Sequence, residues 1–358
     1  MNAGLGCSGL ECCHIADERE NMRKLIALTI AMCLGMSAMI GAADRPVTKK
    51  NGQPIKISWI GKTLNNPWWI ACADSAILEA KNIGVEMSIA LPQEEVDLEK
   101  QVAMVESAVE QGVDAIIISA ASSDGIIPAI RKARDAGIKI INFDTRISDP
   151  AMYDAYVGAD DVYGAYKAGM YMADKLGGKG KVGLITGLLA QSTGVDRRKG
   201  FLDAMSNFPE ITVVENTAEW RSDLAANVTT NMLTANPDIK GIFACNDQMA
   251  VGMVAAVKTD GLNPKDMVLI GYDGILDAAD MMLKGDLAAD VALPFQEEGQ
   301  IGVRMAVALV LNDDYVFDRE MICDGPLVTV TSEGDSEMTV YEYVTKYFPL
   351  RGITAKGY

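Results

Sequence analysis

The sequence predicts an α/β protein made of two similar, doubly wound parallel-sheet lobes that are joined by a three-stranded hinge. Three observations support this prediction. Strand-like and helix-like segments alternate from about residue 55, a second alternating series starts at about residue 181, and one short motif recurs in both series. Such alternation favours parallel sheets with helices on both faces, because consecutive parallel strands need a crossover connection.

The first series begins with the apolar run Ile55–Ile60 and continues with Ala115–Ile118 and Ile138–Phe143. Short apolar runs rich in β-branched residues are typical of parallel strands that are covered on both faces. Between the runs, Asp97–Gln111 and Gly125–Ala136 are predicted to be helical, and a glycine follows each of them. A glycine at this place is a common helix stop signal.

The second series contains five strand-like runs and four helical segments. The predicted strands are Lys181–Thr186, Ile211–Asn216, Ile239–Ala244, Met267–Ile270 and Leu287–Ala292. The predicted helices are Val162–Leu176, Asp196–Asn207, Asp223–Thr234 and Asp247–Thr259. The order of elements repeats that of the first series and therefore predicts a second lobe of the same kind.

A shared motif links the two series, since Ile140–Thr145 and Val268–Gly274 both read as a strand that leads into an aromatic residue and an aspartate. This recurrence indicates two similar lobes that face each other. The predicted first lobe comprises residues 54–158 and 294–323, the second comprises residues 159–293 and 324–338, and residues 339–358 form a C-terminal tail. The predicted crossings between the lobes are Val157–Asp160, Leu293–Phe295 and Asp324–Pro326.

The first 43 residues are typical of a secretory signal peptide. Two basic residues precede an apolar run from Leu25 to Ile40, and small residues follow as far as Ala43. The run is short for a membrane span, which needs about 20 apolar residues, so cleavage is favoured over a retained anchor. A true start at Met22 would give the signal peptide a normal length.

Charge and residue content exclude several classes of function. The formal net charge is −17 for the whole chain, so the protein should repel phosphate backbones and bind no nucleic acid. The single histidine, His14, precedes the predicted cleavage site, which excludes a histidine base or metal ligand in the mature chain. Cys72, Cys245 and Cys323 are too widely spaced to indicate a disulfide framework or a zinc site. We expect no cofactor and no metal.

The stretch Leu64–Trp69 follows the first predicted strand, where the chain should turn into a helix. In an open α/β sheet this junction opens into the ligand crevice. Amides form hydrogen bonds and indoles offer flat apolar faces, so Asn66, Trp68 and Trp69 suit a neutral, hydroxyl-rich ligand. The alternative is that one or both tryptophans belong to the hydrophobic core.

Five motifs occur in a fixed order: Thr63–Trp69, Asn142–Thr145, Arg197–Phe201, Ala244–Asp247 and Ile270–Gly274. Together they resemble the periplasmic binding proteins for monosaccharides that serve ABC transporters, in particular the ribose-binding group. The resemblance covers most of the chain and implies the type I periplasmic binding fold, in which two lobes close around a sugar. It also implies a periplasmic monomer that delivers its ligand to a membrane ABC permease and, as a further role, presents it to a chemoreceptor.

The resemblance implies ligand-binding side chains from both lobes. Asn66 would bond a hydroxyl, Asp144 would accept hydrogen bonds from hydroxyls, and Arg197 would donate them. Sugar hydroxyls both donate and accept, which is why a cleft for them needs this mixture of groups. The implied ligand-binding residues are Asn66, Trp68, Trp69, Ser119, Asp144, Thr145, Arg197, Trp220, Asn246, Asp273 and Gln296.

Several of these residues also have a purely structural interpretation. Asp144 and Asp273 would then cap turns or helix starts, and Asn246 would cap a helix. Arg197 would lie on a solvated helix face and Trp220 would be a surface aromatic.

Two departures from the ribose-binding group affect the ligand. Thr145 follows the aspartate where the group has an arginine, and Leu293 stands where the group has an amide, with Gln296 three residues later. Other pentoses, hexoses and polyols such as inositol are therefore ligand candidates beside ribose.

Two enzyme classes are disfavoured by the sequence. A nicotinamide-dependent dehydrogenase needs a glycine-rich turn after its first strand, whereas Gly61–Asn66 contains one glycine. Hydrolysis by a carboxylate pair through Asp144 and Asp273 is chemically conceivable, but a ligand that is kept intact explains the same residues. We therefore expect a binding protein and not an enzyme.

Overall fold

The structure is a computed structural model that describes residues 46–311, 319–323, 325–330 and 337–347. The predicted signal peptide, the end of the predicted tail and Asp324 in a predicted crossing lie outside the described residues. The described residues form one six-stranded sheet and one seven-stranded sheet.

The six-stranded sheet is entirely parallel. Its strands are β1 (Lys56–Ile60), β2 (Glu86–Ala90), β3 (Ala115–Ile118), β4 (Lys139–Phe143), β5 (Ala155–Ala159) and β11 (Glu320–Cys323). The strand order is β11-β5-β4-β3-β1-β2. The helices of this sheet are α1 (Pro67–Ile83), α2 (Leu98–Glu110), α3 (Ile127–Asp135) and α9 (Phe295–Leu311). We call this sheet with its helices the first lobe.

The seven-stranded sheet is parallel except where β10 pairs with β12. Its strands are β6 (Lys179–Thr186), β7 (Glu210–Thr217), β8 (Ile239–Ala244), β9 (Val268–Asp273), β10 (Ala289–Ala292), β12 (Leu327–Thr329) and β13 (Met338–Thr339). The strand order is β13-β12-β10-β9-β8-β6-β7. The helices are α4 (Asp161–Lys175), α5 (Ser192–Met205), α6 (Ser222–Ala235), α7 (Asp247–Thr259), α8 (Leu276–Lys284) and α10 (Val340–Tyr347). We call this sheet with its helices the second lobe.

Within the described residues the chain passes between the two sheets three times. The passages lie between β5 and α4, between β10 and α9, and between β11 and β12. Each passage falls at a segment where glycine or proline predicts a crossing, whereas the full residue ranges of the two lobes stay a prediction. The predicted fold class of two parallel-sheet α/β lobes is confirmed.

The central strands form because their side chains are mostly apolar on both faces. Every residue of β3 is buried, and the first lobe has a core of isoleucine, valine and alanine from strands and helices that includes Ile116, Ile140 and Val105. Branched side chains pack well on a pleated surface, which favours these strands. Gly112 and Gly137 follow α2 and α3 with φ of +64° and +84°, a conformation that glycine adopts without steric cost.

The second lobe differs from the sequence-based expectation in several places, and helix α8 and strands β12 and β13 were not predicted. Helix α5 begins at Ser192, four residues before the predicted Asp196, because its first turn follows a loop with no apolar periodicity. Helix α10 forms within the predicted tail, where Tyr343 is buried and its hydroxyl donates a hydrogen bond to the Gly274 carbonyl at 2.7 Å. None of the helices in the described part of the chain combines the length and apolarity needed to cross a bilayer.

Gly200 allows α4 and α5 to approach each other closely. A Cβ atom at this position would lie 2.0 Å from the carbonyl oxygen of Val162 and 3.0 Å from the amide nitrogen of Tyr166. Because both contacts are with backbone, we expect Gly200→Ala to lower the free energy of unfolding by about 1–3 kcal/mol despite the better helix propensity of alanine.

The matched control for this change is Gly302→Ala in α9, where the nearest atom is a methyl group of Ile117 at 3.3 Å. Urea unfolding followed by circular dichroism measures both variants. The close-approach argument would be contradicted if Gly200→Ala were as stable as wild type, or if Gly302→Ala lowered the free energy of unfolding more than Gly200→Ala.

Candidate ligand-binding site

A small cavity lies between the carboxyl-terminal edges of the two sheets, where polar and aromatic side chains converge. The first lobe contributes Lys62, Asn66, Trp68, Trp69, Glu95 and Asp144. The second lobe and the adjoining crossing contribute Thr193, Arg197, Trp220, Asn246, Asp273 and Leu293. Eight of the residues predicted from the sequence are thus brought together, because the carboxyl ends of parallel strands meet at one edge of a sheet.

Asn66 and the two tryptophans after Pro67 stand at the beginning of α1. The side-chain oxygen of Asn66 accepts a hydrogen bond from the Trp68 backbone N–H at 3.0 Å, and proline at the first helical position fits the helix start. The rings of Trp68 and Trp69 pack edge to face with their centroids 4.8 Å apart. Both side chains are buried and both line the cavity. The two interpretations of these tryptophans, as cavity wall and as core, therefore both apply.

Asp144 follows β4 in a left-handed backbone conformation, with φ of +50°. Its Oδ2 accepts hydrogen bonds from Ser119 Oγ at 2.8 Å and from Thr145 Oγ1 at 3.0 Å. Ser119 and Thr145 are fully buried and are not among the side chains that line the cavity; they hold the carboxylate instead. Gln296, in the first turn of α9, also does not line the cavity.

Lys62 lines the cavity but is not among the residues predicted from the sequence. Its side chain is 3% exposed, and its ammonium group lies 3.0 Å from Glu95 Oε1 and 3.4 Å from Asp144 Oδ2. Burial opposes the charge, but Glu95 and Asp144 outweigh it and raise the pKa of Lys62 above its ordinary value. The one available signal is that Lys62 is a charged residue two positions after an apolar strand, on the same edge as Asn66.

Arg197 anchors the second-lobe side of the cavity and is buried, which excludes the solvated-face alternative. Its Nε donates to Asp161 Oδ1 at 2.8 Å, and its Nη1 donates to Asp273 Oδ1 at 2.9 Å and to the Cys245 carbonyl at 2.8 Å. The guanidinium carbon also lies 4.0 Å from the centre of the Tyr272 ring. Burial acts against the charged form, yet the two aspartates raise the pKa of Arg197 well above its usual range.

Asp273 ends β9 with φ of +122°, a region that non-glycine residues rarely occupy and that often marks functional sites. Burial raises the pKa of its carboxyl group to about 7, with Arg197 acting in the opposite direction. Its Oδ2 lies 3.4 Å from Asn66 Nδ2 on the first lobe. Asp273 therefore connects the guanidinium of its own lobe to the amide of the other lobe.

Trp220 forms the wall near the outer end of the cavity. It is 6% exposed and has φ of +66°, so the surface-aromatic alternative does not hold. A Cβ atom on Gly187 would lie 2.2 Å from the indole ring, so the ring needs a glycine beneath it.

Asn246 caps a helix, as its structural interpretation predicted, since its side-chain oxygen accepts a hydrogen bond from the Met249 N–H at 2.8 Å. It also lines the cavity.

The cavity between these side chains has a volume of about 20 Å³, room for one or two water molecules. A sugar ring therefore enters only if the lobes separate or contacts such as Asn66 to Asp273 open. Three carboxylates and two cations line the space. The carboxylates can accept hydrogen bonds from the hydroxyls of a neutral polyol, and the cations can donate hydrogen bonds to them. Among the described residues no group of three or more histidine, cysteine, aspartate or glutamate side chains is arranged to hold a metal ion.

Residues 57–314 match the family described as the periplasmic binding protein domain. The chain belongs to this periplasmic binding protein family. The resemblance predicted from the five motifs is therefore confirmed, and so is the type I periplasmic binding fold.

Relatives of this periplasmic binding protein carry names of sugar-binding proteins. The ribose import binding protein of Escherichia coli (strain K12) is 29% identical over 286 residues, covering 80% of this chain and 92% of its own. The D-allose-binding periplasmic protein of the same strain is 32% identical over 254 residues, covering 69% and 81%. A solved ABC transporter periplasmic solute binding protein from Actinobacillus succinogenes 130z, with bound D-allose, is 33% identical with a TM-score of 0.72 and covers 77% of this chain and 97% of its own.

Proposed function

We propose that this protein is a periplasmic solute-binding protein that captures a monosaccharide between its two lobes and delivers it to an ABC permease. The observation that carries the proposal is the cavity lining, in which carboxylates, amides, a guanidinium group and indoles from both lobes converge. Membership of the family supports the same function. A polyol such as inositol, which offers the same hydroxyl chemistry without a ring oxygen, is the alternative ligand.

Capture works by closure of the lobes around the ligand. A ligand that touches both lobes binds the closed form better than the open form and shifts the population toward it. Side chains such as Asn66 and Asp273 form hydrogen bonds with each other across the cleft. The ligand hydroxyls would replace these hydrogen bonds with bonds to the ligand. The exchange conserves the number of hydrogen bonds, so the net affinity comes from the burial of the ring against Trp68, Trp69 and Trp220 and from the stronger hydrogen bonds to charged partners such as Asp144.

Discrimination between epimers follows from the fixed orientation of the carboxylates. Asp144 is held by Ser119 and Thr145, and Asp273 is held by Arg197. An epimer whose hydroxyl points away leaves a buried carboxylate oxygen unpaired, which costs about 1–3 kcal/mol. An anionic sugar is disfavoured, because the lining carboxylates outnumber the lining cations.

The test is a thermal-shift screen of the protein lacking residues 1–43 against pentoses, hexoses and polyols. A ligand at 100 times its dissociation constant should add about 2.7 kcal/mol to the free energy of unfolding. An enzyme would instead convert one of the screened compounds, which chromatography of the incubated mixtures would detect. The proposal would be contradicted if no compound in the screen shifted the thermal unfolding transition.

Asp144→Asn should weaken binding of the sugar found in this screen by about 10- to 100-fold, because hydrogen bonds to a charged group are worth about 1.5–3 kcal/mol. The amide keeps the volume of the carboxylate but loses its charge. Isothermal titration calorimetry measures the dissociation constant. The control is Asp280→Asn, whose exposed carboxylate pairs with Lys284 one helical turn away; an Asp144→Asn affinity equal to that of the control would show that the site is misplaced.

We extend the proposal to the cellular setting. The predicted signal peptide supports export to the periplasm with cleavage after Ala43, and a monomer is the form that a hinged carrier needs for free lobe movement. N-terminal sequencing of the exported protein and analytical ultracentrifugation test these two points. Presentation of the closed form to a chemoreceptor is a further possible use of the same conformational change.

A further inference from the structure

Gln191 is a buried amide that bonds residues of both lobes. Its Oε1 accepts hydrogen bonds from Lys62 Nζ at 3.0 Å and from Trp220 Nε1 at 2.9 Å. Its Nε2 donates to the Ala121 carbonyl at 3.0 Å. The side chain is fully buried, and both lone pairs of its oxygen are used, so the orientation of the amide is determined by its partners.

The partners of Gln191 belong to different lobes. Lys62 and Ala121 are on the first lobe, whereas Trp220 follows β7 on the second lobe. Lys62 and Trp220 both line the cavity. The complete set of three hydrogen bonds therefore exists only when the lobes are closed, and it then fixes one cavity residue from each lobe.

The backbone around Gln191 is docked on the first lobe in the same way. We call residues 188–193 the docking loop. Ala190 accepts a hydrogen bond from the Ser123 N–H at 3.0 Å, and the Ser192 N–H donates to Ser123 Oγ at 3.0 Å. The Arg146 N–H donates to Ser192 Oγ at 2.8 Å. These bonds hold the loop against the first lobe, so the docking loop itself contributes to the closed arrangement.

We propose that Gln191 is a positioning residue that places Lys62 and Trp220 as the lobes close, so that closure and assembly of the ligand cavity occur together. This inference rests on the proposed function for its effect on affinity. Because the apparent dissociation constant equals the intrinsic constant divided by the fraction of competent protein, any loss of the closed, assembled state weakens binding in proportion.

The test compares Gln191→Met with Gln191→Glu. Methionine keeps the length of the side chain but removes all three hydrogen bonds. Glutamate keeps an acceptor for Lys62 and Trp220 and loses only the donor to Ala121. We expect Gln191→Met to weaken binding of D-allose by about tenfold or more and Gln191→Glu to recover part of that loss.

A spectroscopic readout separates positioning from general damage. Acrylamide quenching of fluorescence reports how accessible the Trp220 indole is. The Trp220 signal is the difference between each protein and the same protein with Trp220→Phe. We expect more quenching in Gln191→Met than in wild type or Gln191→Glu, with sugar and without it. Gln111→Met is the matched control, because Gln111 is exposed and bonds only Ser107 Oγ through its side chain.

The outcomes distinguish this inference from the proposed function. If wild-type protein binds a sugar but Gln191→Met matches it in both dissociation constant and Trp220 quenching, the inference is overturned and the proposed function stands. If wild type binds no sugar in the screen, the proposed function fails and ligand-free quenching alone decides: increased quenching in Gln191→Met supports the positioning role, and unchanged quenching refutes it. Circular dichroism establishes that the variants are folded.

Discussion

Arg197→Met should lower the free energy of unfolding at pH 7 by about 3–5 kcal/mol, the range expected when one partner of a buried ion pair is removed. Arg197 donates hydrogen bonds to Asp161 and Asp273, and all three side chains are buried. Methionine fills much of the same space but leaves two carboxylates without their cation. Sugar binding should also be lost, because Asp273 is no longer held in place.

The stability of Arg197→Met should depend on pH because of the same two carboxyl groups, Asp161 and Asp273. Burial raises the pKa of Asp161 and of Asp273, and Arg197 opposes both changes. Without the guanidinium group the pKa of each carboxyl group rises further. A carboxyl group whose pKa is raised in the folded state contributes stability at low pH that is lost as pH rises through the folded pKa. The deficit of Arg197→Met should therefore be smaller at pH 5 than at pH 8.

The neighbouring residue provides the control. Arg198 pairs with Glu215 on the surface, with 40% of its side chain exposed, and such pairs are worth about 0–1 kcal/mol. Urea unfolding of Arg197→Met, Arg198→Met and wild type at pH 5 and pH 8 gives the comparison. Equal effects of the two substitutions would show that the buried cluster does not depend on its cation.

The sequence predicts most strands and helices because each carries a local signal. The predicted strand Ile239–Ala244 is the observed β8, and the predicted helix Asp223–Thr234 differs from α6 by one residue at each end. Branched apolar runs and helical periodicity both act within a window of a few residues. Strand β13, two residues long, carries no such signal, and it forms by pairing with the three-residue strand β12.

The candidate site is predictable only in part, for a related reason. Asn66 and Asp144 lie in the segments that follow β1 and β4, and topology alone brings strand ends together. The roles of Lys62 and Gln191 depend on partners far away in sequence: Lys62 bonds Glu95 in the next loop and Gln191 across the lobes. Nor does a local pattern distinguish a residue that lines the cavity from one that supports it: Ser119 was predicted to contact ligand, and in the structure its hydroxyl donates a hydrogen bond to Asp144 and does not line the cavity.

A second buried acidic pair, Asp247 and Asp290, lies behind Asp273 in the second lobe. The Oδ1 atoms of the two aspartates approach the same point above Gly271, where an added Cβ would meet them at 2.3 and 3.0 Å. Asp247 accepts hydrogen bonds from the N–H groups of Tyr272 and Ile275, at 3.1 and 2.9 Å. Those donors favour the ionised form of Asp247, but burial and the neighbouring Asp290 outweigh them and raise the pKa of Asp247 well above its ordinary value. Burial raises the pKa of Asp290 as well, so the two carboxyl groups titrate as a coupled pair.

Asp290→Asn should make the protein less sensitive to alkaline pH. Burial raises the pKa of Asp290 to about 7, against about 3.9 for an unfolded aspartate. Its contribution to stability is therefore complete below pH 4 and is lost as pH rises through 7. Asparagine carries no titratable proton and its amide can donate to Asp247, so the variant should gain about 2–3 kcal/mol relative to wild type between pH 5 and pH 8.

The measurement is urea unfolding of wild type and variant at half-unit steps between pH 5 and pH 8. Asp273 titrates in both proteins and its charge raises the pKa of Asp247 and Asp290, so the difference between the two curves reports the Asp247–Asp290 pair together with its coupling to Asp273. Asp280→Asn, a change in an exposed ion pair, should give a curve parallel to that of wild type. A parallel curve for Asp290→Asn as well would mean that Asp290 does not titrate between pH 5 and pH 8.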